Sequence, residues 1–171
     1  MPETYEPIAS AVATGSVFSF SFTSIPSTYT DLVLRYSVRS DQNGPYNQAR
    51  IYLNGASGIY SATNIAGDGT NASSGRYANM PGGMELAFIT PANAASGIYA
   101  MSEFNVMSYA NTNTFKTLLV KQSWDGVFPR YSVVLARTTA AITSISVEAA
   151  GSSFRFVAGS TAALYGIKAA A

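Results

Sequence analysis

Apolar and polar residues alternate along most of this chain with a period of two. In "VFSFSFTS", Phe18, Phe20 and Phe22 fall on one parity and Ser19, Ser21 and Thr23 on the other. Successive side chains of a strand point to opposite faces, so the pattern predicts a half-buried β-strand. "LVLRYSVRS" repeats it, with Leu32, Leu34, Tyr36 and Val38 set against Arg35, Ser37 and Arg39. "QARIYLN" does so weakly, with Ile51 and Leu53 opposite Arg50 and Tyr52. Strand signals resume at "IYAMSEFNVMSY", "NTNTFKTLLVKQSW", "RYSVVLAR" and "AITSISVEA", and end with "SFRFVA" and "TAALYGIK". No window carries a ten-residue helical period.

Turn signals separate these runs. Pro26 and Ser27 break one ladder, and Asn43-Gly44 reads as a hairpin turn with Pro45 ending the pairing. Between residues 54 and 83 stand Gly55, Gly58, Gly67, Gly69, Gly75, Gly82 and Gly83. That Gly/Asn/Ser-rich region, about 54–95 with the "ITPANAASG" loop, reads as long loops with at most short strands. About eight to ten strands at this spacing predict an all-β antiparallel sandwich or barrel. One domain over residues 1–171 is expected.

The last strand differs from the rest. Ala162, Leu164 and Gly166 share one face, and Ala163, Tyr165 and Ile167 the other; neither is polar. Either it is an interior strand covered outside by a loop or subunit, with Gly166 admitting a close neighbour, or its alanines blur the pattern. With "SFRFVA" it reads as a closing hairpin, with Leu164, Tyr165 and Ile167 as the structural closing strand. Only Lys168 to Ala171 are expected to fray.

Composition narrows the function classes. Only 11% of the 171 residues are charged and the net charge is +1, against about a quarter charged in ordinary soluble domains. Lys and Arg are scattered and read as single solvated charges, which argues against a nucleic-acid surface. Without His or Cys, serine and cysteine triads and the usual zinc and haem sites lack their ligands. No cofactor or metal is expected. Asp41, Asp68, Asp125, Glu85 and Glu103 are the carboxylates considered for hydrolysis or calcium, and turn caps explain them more simply. No signal peptide or membrane span is read, and ordinary secretion is not expected.

The aromatic residues offer the remaining chemistry. Trp124 lies beside Phe128 and Arg130, and Tyr46, Tyr60 and Tyr77 lie in or near loops. Core packing, a protein interface and glycan contact are three open accounts of them.

Three stretches then carry a resemblance: "TYEPIAS", "FTSIPSTYTDLVLRYSVRS" and "TTAAITSISVEAAGSSFRFVAGSTAALYGI", with "YANTNTFKT" between them. They resemble a group of small structural proteins of tailed bacteriophages, many from marine phages. The resemblance implies a jelly-roll-like sandwich without catalytic residues, located in the virion. A capsid decoration, cement or head-fibre protein is the expected role. Its partners would be copies of itself, with a trimer expected, and virion proteins such as the major capsid protein. A tail-fibre or tail-knob protein recognising host surface glycan is one alternative, and a cellular carbohydrate-binding module is another.

Overall fold

Alternation becomes pairing in the computed structural model, which describes residues 5–124, 128–151 and 153–168. The strands are β1 (Tyr5–Val12), β2 (Ser19–Phe22), β3 (Asp31–Val38), β4 (Asn47–Leu53), β5 (Tyr60–Gly67) and β6 (Ala72–Met80). They continue as β7 (Met84–Ile89), β8 (Ala100–Met107), β9 (Lys116–Trp124), β10 (Phe128–Ala136), β11 (Ile145–Ala149) and β12 (Thr161–Ile167). Two sheets result. The larger has the order β1-β12-β3-β8-β9-β10-β5-β6 and the smaller β2-β11-β4-β7. Every ladder between these strands is antiparallel. The protein is an all-β, two-sheet structure of β-sandwich type.

Register explains the core. Leu34, Phe104 and Val120 lie side by side across β3, β8 and β9, and Leu32, Val106 and Leu118 form the next inward row. From the smaller sheet, Phe20, Val147 and Ile51 form a row beside Phe22, Ile145 and Leu53. All of these are buried. Each fully buried Leu, Ile or Phe contributes about 1.5–3 kcal/mol of transfer free energy.

Several expectations change. The region around 54–95 holds three strands, β5, β6 and β7, and not only loops. Exposure explains why two of them escape a period-two reading. β6 is exposed at nearly every position, while β7 is buried on both sides apart from Glu85. Asn43-Gly44 does not close a hairpin, because β3 and β4 lie in different sheets and the segment carries the chain between them.

The closing hairpin is also corrected. Phe156 bridges Val17 and Ser40, whereas β12 pairs with β1 and β3. The interior place of β12 does hold. Leu164 on its inner face is fully buried, while Tyr165 and Ile167 on its outer face keep partial exposure. Lys168 does not stand free, since its Nζ donates to Glu6 Oε1 at 2.6 Å. The expected fraying of 169–171 lies outside the described residues.

Two cations read as solvated are structural. Arg39 donates from Nη1 to the carbonyls of Ala95 and Ile98, and from Nη2 to those of Ala92 and Ala94. Lys116 is fully buried. Its Nζ donates to the carbonyls of Asn111, Thr114 and Thr139, and burial lowers its pKa.

Candidate binding surfaces

The β9–β10 hairpin places Trp124 opposite Phe128 and Gln122 opposite Arg130. An aromatic shelf grows from that end. Trp124 stacks on Phe128 with ring centroids 5.0 Å apart. Phe88, from edge strand β7, also stacks on Trp124, with ring centroids 4.6 Å apart. Tyr46 meets Phe88 edge-on at 4.7 Å. The Arg130 guanidinium lies 4.4 Å from the Phe88 ring centroid, a cation–π contact. Three of the sequence-derived contacts (Trp124, Arg130 and Tyr46) therefore meet at one residue, Phe88, that the sequence reading missed, and the fourth, Phe128, joins through Trp124.

The other two do not join them. Tyr60 is fully buried. Its hydroxyl accepts from the Leu53 N–H at 2.9 Å and donates to the Ala56 carbonyl at 3.2 Å. Burial pushes its phenol up to about 12. It is a core residue and is corrected out of the contact set. Tyr77 stands on β6, 40% exposed, near Arg76, Val133 and Leu135.

Beneath the shelf runs a polar row. Tyr36, Ser102, Gln122 and Arg130 are successive neighbours across β3, β8, β9 and β10. Gln122 Oε1 accepts the Phe88 N–H at 3.2 Å and so caps the edge of β7. Among the described residues, the Tyr36 hydroxyl, Ser102 Oγ, Gln122 Nε2 and Arg130 Nε and Nη1 are buried and find no hydrogen-bond partner. Burial raises the Tyr36 phenol well above its ordinary range.

The outer face of the larger sheet is a second surface. Arg35, Glu103 and Lys121 are neighbours in register on β3, β8 and β9. Arg35 Nε donates to Glu103 Oε2 at 2.8 Å and Lys121 Nζ to Glu103 Oε1 at 3.2 Å. Tyr5 and Tyr165 flank Arg35, each ring centroid 5.7 Å from its guanidinium carbon. The ladder floors a trough of about 620 Å³ with Met101 and Tyr131 on its walls.

Beyond Lys121 the same face turns apolar. Tyr131 and Ile65 continue the row onto β10 and β5, and Leu119 and Val133 are paired in the next row. Exposure is 55% at Tyr131, 61% at Ile65, 42% at Leu119 and 52% at Val133. Single exposed apolar residues are ordinary, but a contiguous patch marks a contact surface. Its signal was legible in "RYSVVLAR", where Tyr131, Val133 and Leu135 share one parity and Val134 and Ala136 the other.

The carboxylates serve local structure. Asp68 Oδ1 accepts the N–H groups of Thr70 and Asn71, which hold its carboxyl below the usual range. Asp41 Oδ1 accepts from the Arg155 N–H at 2.8 Å, and Glu85 pairs with Arg50. Asp125 lies outside the described residues. Among the described residues no group of three or more His, Cys, Asp or Glu is placed to hold a metal ion. No helix of the described chain is long and apolar enough to cross a membrane. Comparison with protein-family models, with curated proteins and with solved structures gives no match for this chain.

Proposed function

We propose that this chain is a non-enzymatic structural subunit of a tailed-phage virion, a decoration, cement or head-fibre protein on the capsid surface. The observation that carries the reading is the apolar patch of Leu119, Tyr131, Val133 and Ile65 on the outer face of the larger sheet. A subunit that works by burying surface against another virion protein needs such a face. The low charge of the whole sequence suits a surface that is partly covered.

The strand order supports a jelly-roll winding. With the β5–β6 and β9–β10 hairpins set aside, β1-β12-β3-β8 faces β2-β11-β4-β7. In that set the first strand pairs with the last, the second with the seventh, the third with the sixth and the fourth with the fifth. Such winding is common in capsid and lectin domains. The two added hairpins extend one sheet and supply most of the apolar patch.

A second reading, glycan recognition by a tail knob, is favoured by the stacked shelf of Tyr46, Phe88, Trp124 and Phe128 with Arg130 at its edge. Gold-labelled antibody on intact particles separates the two. Label spread over the head is the expected result. Label confined to the tail, with glycan-array binding lost in Trp124→Ala, overturns the first reading for the second.

A further inference from the structure

Each sheet ends in two edge strands, and the four edges are treated differently. Unpaired edge backbone is a template for another chain, so native proteins block it. At β1 the block is Pro7, which has no N–H, a bulge between Pro7 and Ala9, and the charged pair Glu6–Lys168. β2 is only four residues long. β7 is buried on both sides, and Gln122 takes its Phe88 N–H. β6 carries the least of this protection. It is nine residues long without proline, Arg76 is its only charge, and it is exposed except at Gly75 and Met80. From Ala72 to Tyr77 it pairs regularly with β5, and the register shift comes only near its far end.

We propose that β6 pairs antiparallel with β6 of a second copy of this chain, joining two larger sheets across a two-fold axis. The inference deepens the assembly reading above and rests on it, with a two-fold contact between copies in place of the trimer expected from the resemblance. A second copy is the occupant because pairing must match edge to edge. The opposite edge of the same sheet, β1, is blocked, so head-to-tail growth is closed off and self-pairing of β6 remains.

The regular stretch Ala72–Tyr77 and the charge of Arg76 together narrow the register. Hydrogen-bonded and non-hydrogen-bonded pairs alternate along an antiparallel ladder. A two-fold axis therefore has to pass where a residue faces its own copy. Centring on Arg76 would set like charges face to face, which is unfavourable. Centring on Gly75 pairs residues 72–78 and sets Arg76 of each copy across from Ser74 of the other. Ser74 and Arg76 lie on the outer face, since they pair with Ile65 and Thr63 of β5. The joined edge is thus continuous with the apolar patch.

The test measures mass by light scattering over a concentration series of the full chain. Self-association is expected. Ser74→Lys, which sets a second cation against Arg76, should weaken it on the order of tenfold, and Ser74→Glu should strengthen it. Because the chain has no cysteine, Ser74→Cys with Arg76→Cys should give a covalent dimer on oxidation, while Ser10→Cys on β1 should not. An oligomer that is indifferent to the sign of charge at position 74 and does not cross-link there overturns the β6 pairing and leaves the assembly reading standing. A monomer at every concentration, with no label on particles, overturns both.

Discussion

The ring of Tyr29 lies on Gly166 so closely that a Cβ at that glycine would sit 2.3 Å from the Tyr29 Cγ. Side chains and backbone do not share such a distance. Gly166→Ala must displace the ring or bend β12, and overpacking of this kind costs about 1–3 kcal/mol. Urea unfolding should show that loss. Adding Tyr29→Ala should recover part of it, because the double variant removes the clash along with the ring's own packing.

β12 lies between β1 and β3 and forms full ladders with both. Truncation after Ser160 therefore does more than shorten an end. It strips β1 of the one ladder it forms among the described residues and exposes one edge of β3, whose Leu32 and Leu34 are fully buried. The truncated chain should show no cooperative thermal transition by calorimetry. A cooperatively melting soluble product would show that the remaining strands hold a core without it.

What the sequence made legible follows from how each strand is buried. β8 and β11, and β3 from Leu34 onward, alternate because one face is inside and the other wetter, and their patterns stood out. β7, "MELAFI", is covered on both sides and β6 on almost none, so neither alternates. β1 contains Pro7, which reads as a breaker and serves here to block an edge. The shelf was half legible. Trp124, Phe128 and Arg130 come close by hairpin pairing alone. Phe88 arrives from the other sheet, in a region whose Gly, Asn and Ser content read as loop. Nothing local distinguished Tyr60, a core phenol, from Tyr46, an exposed one.

Arg39 fixes the 91–99 loop by donating to four of its carbonyls, at 2.7 to 3.1 Å. The planar guanidinium fork reaches all four at once, and a lysine ammonium offers its donors from a single point. Arg39→Met should lower stability by about 1–3 kcal/mol through the loss of charge-assisted hydrogen bonds to partly buried loop carbonyls. Arg39→Lys should rescue little of that. Hydrogen exchange should report the change locally, with faster exchange of the Ile98 amide, which donates to the Ala95 carbonyl. Unchanged protection there would mean that the loop is held by other contacts.

Acid should weaken the fold through Glu103. Burial opposes the charge of its carboxylate, but hydrogen bonds from Asn105, Arg35 and Lys121 outweigh that and hold its pKa below the usual carboxylate value. A carboxyl with a lower pKa folded than unfolded stabilises the fold at every pH above the unfolded value. That contribution fades as pH falls through the folded pKa. Glu6 behaves alike, its pKa lowered first by the hydrogen bond from Lys168. With no histidine in the sequence, no imidazole titrates between about pH 5 and 8. The melting temperature should therefore be flat across that range and fall below about pH 4.5. In Glu103→Gln the curve should start lower at neutral pH and fall less steeply in acid, because the group that responds to protons has been removed. An unchanged acid slope would assign the loss to other carboxylates and leave the Arg35–Glu103–Lys121 ladder without a role in stability.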